Sequence, residues 1–152
     1  MARDRQVDFD VSKKSAKIAE LIEKCHGQGR DAHYVGFFEC FNRGWFYEAH
    51  DVLEELWLPQ RTGPNGAFYK GLIQLAGAFV HLQKERLRPA AALFKLAAAN
   101  LGQYAEVYEG LEVSRVLEMI HAWVQKLEVG EFRVNPLQPG NAPQLALVAV
   151  ER

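Results

Sequence analysis

Cysteine is scarce in this chain, and neither sign of charge is in excess. Cys25 and Cys40 are the only two cysteines among 152 residues, which is too few for a disulfide scaffold, and their spacing fits no C-x-x-C redox or zinc motif. The 18 basic and 19 acidic side chains give a formal net charge of −1. Binding nucleic acid by neutralising phosphates, or a membrane through a polybasic patch, requires a basic excess. We therefore predict two buried, reduced thiols, no nucleic-acid partner and no membrane partner.

Long apolar runs are also absent. The most apolar stretch, residues 71–82, is interrupted by Gln74 and His81 and is shorter than the ~20 residues of a membrane-spanning helix. Residues 1–6 lack the apolar segment of a secretory signal. These observations predict a cytoplasmic protein. Its length and its 49% of hydrophobic residues predict one globular domain over residues 1–152.

What the chain does have is helical periodicity, from residue 10 to residue 130. Apolar side chains recur at three- and four-residue spacing, and glycine, proline and Asp31 mark the ends of the segments. The pattern predicts an all-α fold, a single-domain helical bundle of five to six helices built from antiparallel helical hairpins. The predicted helices cover residues 10–25, 31–44, 46–57, 66–84, 89 to 100–103, and 111–129.

Residues 131–152 form a tail of different composition. Two β-prone runs, 132–134 and 145–150, flank a segment with three prolines. The runs could pair as a short β-hairpin, or the tail could lie extended across the helices or a partner subunit. We favour the extended tail, which would also be the place for a protein partner or for homo-oligomer formation.

The densest polar signal is the segment GWFYEAHDVLEELW, residues 44–57. On a helix, Glu48, Asp51 and Glu55 form a solvated acidic face, while His50 and Glu54 lie on the flank within mutual reach. The apolar face predicted to point inward comprises Phe46, Ala49, Val52, Leu53, Leu56 and Trp57. We expect Trp57 to be buried against the next helix, near Phe68 and Leu72, so that Trp57→Ala would leave an insoluble or loosely packed protein.

The following helix carries a second polar stripe, made of Lys70, Gln74 and His81 with Gly77 between them. If the two helices form an antiparallel hairpin around residues 59–65, His50 faces Ile73 or Gln74, and Glu54 faces Tyr69 or Lys70. The pattern then predicts a polar pocket of His50, Glu54 and Gln74, with His81 at its far end. The alternative interpretation is a narrow solvent-facing stripe with no site.

These two motifs resemble a known family. The segment of residues 44–57, followed by FYKGLIQLA at 68–76 and then His81, resembles the helical domain-of-unknown-function family numbered 309, over about residues 38–101. The resemblance implies an all-helical domain and no activity. It directs attention to Glu48, His50, Glu54, Trp57, Gln74 and His81, although the helical wheel places Glu48 away from His50. The family's glycine turn before its last shared helix is replaced here by residues 85–89.

Three functional hypotheses follow. The first is a non-enzymatic ligand- or protein-binding module, with aromatic residues such as Trp45 and Phe46 lining a groove. The second is a metal-dependent or acid/base enzyme, of a hydrolase kind, that uses His50, Glu54 and His81, although no H-E-x-x-H or H-x-x-x-H motif supports a metal. The third is a structural hydrogen-bond network that fixes the hairpin. We favour the binding module and assign no cofactor.

Overall fold

The computed structural model describes residues 16–27 and 29–148 of the chain. Helices dominate this part, and the prediction of an all-α helical bundle is confirmed. The start of the first predicted helix, residues 10–15, and the end of the tail, residues 149–152, lie outside the described residues. The elements are α1 (16–25), α2 (Ala32–Asn42), α3 (Phe46–Trp57), a 3₁₀ turn (Leu58–Gln60), α4 (Gly66–Gln83), α5 (Leu87–Leu101), β1 (Val107–Tyr108), β2 (Leu111–Glu112) and α6 (Val113–Val129).

Local sequence signals account for several helix ends. Asp31 precedes α2, and its Oδ1 accepts hydrogen bonds from the backbone N–H groups of His33 at 2.7 Å and Tyr34 at 3.4 Å. Such a cap satisfies donors that the first helical turn leaves unpaired. After α1, Gly27 and Gly29 both have positive φ, which glycine adopts without steric cost.

The predicted starts of two helices, α6 and α5, were wrong. The last helix starts at Val113, not at residue 111, because Leu111 and Glu112 pair with Val107 and Tyr108 in an antiparallel hairpin. The two turn residues, Glu109 and Gly110, have φ of 50° and 74°, as in the tight turns that match the twist of paired strands. The Arg30 guanidinium also occupies the space that a side chain at Gly110 would need.

Helix α5 begins at Leu87, two residues before the predicted start at Pro89. Proline is tolerated there because the N–H groups of the first helical turn have no partner within the helix.

Phe79 of α4 lies at the centre of the core. Its ring stacks on Phe46 of α3 at 4.9 Å between centroids, and it meets Phe41 of α2, Phe94 of α5 and Trp123 of α6 edge-on at 5.7, 5.1 and 5.1 Å. Edge-on contacts suit the charge distribution of aromatic rings. Helix α4 is therefore the central helix of the bundle, with α3 and α5 as its neighbours on either side.

Tyrosines fix the connection between α3 and α4. The hydroxyl of Tyr104 donates to the Pro64 carbonyl at 2.8 Å and accepts from the backbone N–H of Phe68 at 3.0 Å. Tyr108 donates to the side-chain oxygen of Asn65. The loop and the first turn of α4 are thus held by side chains that follow α5, and this sets the geometry of the α3–α4 hairpin.

The described part of the tail lies along the helices of its own chain. The side chain of Asn42 in α2 makes two hydrogen bonds to the backbone of Leu145. It donates to the carbonyl and accepts from the N–H, each at 2.7 Å. Asn135 donates to the Leu82 carbonyl at 2.6 Å. Leu147 forms an isolated antiparallel bridge with Leu111 instead of pairing with residues 132–134. Within the described residues, no helix is long and apolar enough to cross a bilayer.

Candidate functional site

A cleft of about 260 Å³ lies on the face shared by α3, α4 and α5. Helix α4 forms its floor, α3 one wall and α5 the other. The walls mix apolar and polar side chains, and the residues that line the cleft are Tyr47, His50, Lys70, Ile73, Gln74, Gly77, Val80, His81 and Leu93.

The floor of the cleft is the polar stripe of α4. Lys70, Gln74, Gly77 and His81 follow one another at intervals of four, three and four residues, so they share one helical face. Gly77 adds no side chain to that face; a Cβ there would lie 3.2 Å from Leu93 Cδ1. The missing side chain therefore helps to keep the cleft open where α4 meets α5.

Gln74 is oriented by α5. Its side-chain oxygen accepts a hydrogen bond from Asn100 Nδ2 at 2.7 Å. Because the Gln74 amide oxygen accepts this bond, its N–H₂ group keeps both of its hydrogens for other contacts.

His50 lies on the α3 wall between two carboxylates. Its Nδ1 is 3.1 Å from Asp51 Oδ1, and its Nε2 is 3.6 Å from Glu54 Oε2. The Tyr47 ring stacks beside the imidazole, with 6.2 Å between centroids. Asp51 and Glu54 are both exposed, so they hold the imidazole from the solvent side of α3.

His81 lies at the other end of the floor and is held differently. Its Nδ1 is buried, and the described residues provide no hydrogen-bond partner for it. Burial lowers the pKa of His81, and the positive charges of Arg86 and Lys84 lower it further. The neutral imidazole is therefore favoured. A proton on Nε2 is the better tautomer, because an N–H at Nδ1 would be buried without an acceptor.

Three of the six residues selected from the sequence, His50, Gln74 and His81, line this one cleft. Glu54 does not line it but touches His50 at the rim. Glu48 lies elsewhere, in a second cleft of about 210 Å³ beside Lys17, Ile18 and Trp45. On an α-helix Glu48 and His50 are 200° apart, so the structure follows the helical wheel for Glu48.

Trp57 differs from its predicted environment. It packs against the core but is only half-buried, and Lys70 Nζ lies 4.5 Å from the centroid of its ring. An ammonium group over an indole face is a favourable cation–π arrangement. Trp57 and Lys70 thus join α3 to α4 at the Lys70 end of the cleft.

Sequence reasoning missed the contribution of α5. Leu93 completes the second wall, and Asn100 orients Gln74. Both stand on a helix whose alanine-rich sequence marks no site, and only the packing of α5 against α4 brings them to the cleft. Tyr47 was missed too, although its place one turn before His50 on α3 could have indicated it.

The metal-binding candidates His50, Glu54 and His81 receive no support from the geometry. Across residues 16–27 and 29–148, no three His, Cys, Asp or Glu side chains gather closely enough to hold an ion. Both cysteines are free and buried. Burial raises the pKa of Cys40 to about 12, so this thiol is protonated and unreactive near neutral pH.

The fold and the cleft define a small all-helical domain. Residues 34–93 match the model of the family described as Domain of unknown function (DUF309), which confirms the resemblance seen in the motifs. The match contains every residue that lines the cleft, and the family description names no activity. No curated protein and no solved structure matches the chain.

Proposed function

We propose that the protein is a non-enzymatic ligand-binding module and that the cleft between α3, α4 and α5 is its binding site. The observation that carries the proposal is that His50, Gln74 and His81, from two separate motifs, line one open cavity. Apolar side chains stand beside them on the same walls, namely Ile73, Val80 and Leu93. Apolar walls with a few convergent polar groups are typical of ligand sites.

The arrangement of the histidines favours binding over acid/base catalysis. Each ring nitrogen of His50 has a carboxylate beside it, Nδ1 at 3.1 Å from Asp51 and Nε2 at 3.6 Å from Glu54. His81 has its Nδ1 buried, and in the favoured tautomer its Nε2 carries the hydrogen, so Nε2 donates and has no lone pair to accept a proton. A general base needs a free nitrogen within hydrogen-bond reach of the proton it removes. In this proposal Glu54 orients His50, and Glu54 does not itself contact a ligand.

The aromatic groove expected from the sequence is replaced by a different surface. Phe46 is 2% exposed and belongs to the core, so its assignment to a groove was wrong. Trp45 is half-buried, outside this cleft, with Lys17 and Arg43 over its ring. Tyr47, which is 51% exposed, is the aromatic residue that lines the candidate site.

A screen of small fragments, followed by thermal shift and ligand-observed NMR, tests the proposal. Val80→Phe is the blocking variant, because Val80 lines the cleft and is only partly buried. Val129→Phe is the matched control: it makes the same change at a position that is 79% exposed on α6. We expect fragments that raise the melting temperature of the wild type and of Val129→Phe but not that of Val80→Phe.

Fragments that bind Val80→Phe as well as they bind the wild type would place the site elsewhere. A screen without any hit, with all three proteins folded, would favour the structural hypothesis, in which the polar residues only fix the hairpin. Turnover of a fragment, lost in His50→Ala, would favour the enzyme hypothesis instead.

A further inference from the structure

We propose that the ligand of this cleft is a small organic carboxylate with an apolar body. The inference rests on the proposed function, since it takes the α3–α4–α5 cleft as the binding site. It goes further by assigning the charge, the polar group and the size of the ligand from the groups that line the cavity.

The charge of the lining favours an anion. Lys70 is the cation on the floor, and the described residues that line the cleft include no Asp or Glu. The nearby carboxylates of Asp51 and Glu54 contact His50 and belong to the solvent side of α3. The Trp57 ring covers one side of the Lys70 ammonium group, 4.5 Å away. Because an ammonium group has three donors, others remain for a ligand.

The polar neighbours of Lys70 are also donors. Gln74 has its oxygen engaged by Asn100, so its N–H₂ group is the one left to donate. His81 has its Nδ1 buried with no partner among the residues that the structure describes, and this favours the tautomer in which Nε2 carries the hydrogen. Lys70, Gln74 and His81 stand on one face of α4. A carboxylate, which only accepts hydrogen bonds and has two oxygens, complements this row of donors.

The apolar and aromatic residues that line the cleft determine the size and polarity of the rest of the ligand. Ile73, Val80 and Leu93 provide apolar walls, and Tyr47 provides an exposed ring at the edge. The cavity volume of about 260 Å³ is just below the ~300–1,000 Å³ of pockets for drug-sized ligands. A compact body of one ring or a short alkyl chain therefore fits better than a long peptide segment.

Three probes with the same phenyl group and three-carbon chain test the charge of the ligand by isothermal titration calorimetry: 3-phenylpropanoate, 3-phenylpropanamide and 3-phenylpropylamine. We expect the carboxylate to bind at least about tenfold more tightly than the amide, as a charge-assisted hydrogen bond allows, and the amine not to bind. A tripeptide, acetyl-Leu-Leu-Phe with a free C-terminal carboxylate, tests whether the carboxylate instead comes from a peptide.

Lys70→Gln should lose at least about tenfold in affinity for 3-phenylpropanoate, and Lys70→Arg should keep most of it. Lys95→Gln is the matched control, since Lys95 pairs with Glu128 at 3.7 Å and lies outside the cleft.

Equal affinity for the carboxylate and the amide, or binding unchanged in Lys70→Gln, would overturn the inference while leaving the cleft a binding site. Binding of the peptide but not of the free acid would overturn the assignment to a small molecule. Absence of binding by all four probes, together with a failed fragment screen, would overturn the proposed function itself.

Discussion

Trp57 and Trp123 differ in burial but share one feature. Each carries a lysine ammonium over its ring, Lys70 at 4.5 Å and Lys126 at 4.8 Å. Trp123 is 5% exposed, whereas Trp57 is half-buried at the end of α3. The helical wheel of α3 places Trp57 on the inward face. It could not show how much of the ring the neighbouring elements cover, because that depends on how α3 and α4 pack at the end of α3.

The two tryptophans therefore predict different costs of truncation. We expect Trp57→Ala to remain folded and to lower the free energy of unfolding by about 1–2 kcal/mol. Trp123→Ala removes a core ring and should cost about 3–5 kcal/mol. Urea denaturation of both variants measures the difference. An insoluble Trp57→Ala protein, or equal losses in the two variants, would show that the indole of Trp57 is a core residue, as the sequence pattern alone suggests.

Individual site residues were predictable where helical periodicity is the only information needed. The spacing of Lys70, Gln74 and His81 places them on one face of α4 wherever that helix packs. The presence of His50 in the same cleft as Gln74 also required the antiparallel hairpin, which the short, turn-rich loop of residues 59–65 indicated. The contacts of Asn100 were not predictable, because they depend on the packing of α5.

At the scale of the elements, the helices were predictable and the small hairpin was not. Helices α2, α3 and α4 have strong signals at their ends: Asp31, Gly44 and the loop of residues 58–65. The β1–β2 hairpin has two residues in each strand, which is too short for an alternating pattern to appear. Its second strand directly precedes α6, so no loop residues mark the boundary between the hairpin and that helix.

The start of α4 depends on the small size of Gly66. A Cβ at this position would lie 2.2 Å from the Arg61 carbonyl oxygen, so any side chain forces the loop of residues 61–65 away from the helix. We expect Gly66→Ala to lower the free energy of unfolding by about 1–3 kcal/mol, the usual cost of overpacking.

Gly130→Ala is the matched control for this prediction. Gly130 caps α6 with a φ of −78°, and the nearest atom to an added Cβ is 3.4 Å away. This substitution should therefore be neutral or slightly stabilising. Thermal and urea unfolding of both variants provide the comparison. Equal stability of Gly66→Ala and the wild type would mean that the loop adapts without loss.

At the scale of the whole molecule, the tail connects parts that are distant in sequence. Residues 131–148 run from the end of α6 back to α2 and the β-hairpin. Leu145, which is 8% exposed, contributes to the core, and Val148 donates a hydrogen bond to the Gly110 carbonyl at 2.7 Å. The sequence showed a proline-containing segment with β-prone ends, but it did not show which part of the fold this segment contacts. An extended segment pairs with unpaired backbone groups, and their position depends on the whole fold.

Asn42 holds the tail at Leu145. Its side chain makes both a donor and an acceptor bond to Leu145, each at 2.7 Å, and alanine can make neither. We expect Asn42→Ala to lower the free energy of unfolding by about 1–3 kcal/mol, because the backbone groups of Leu145 lose their partners. The amides of residues 145–148 should exchange hydrogen for deuterium faster, while those of α4 keep their relative order of protection. Gln125→Ala, at an exposed position on α6, is the control and should change neither quantity. If residues 145–148 keep wild-type exchange rates in Asn42→Ala, the apolar contacts of Leu145 and Leu147 hold the tail without these two hydrogen bonds.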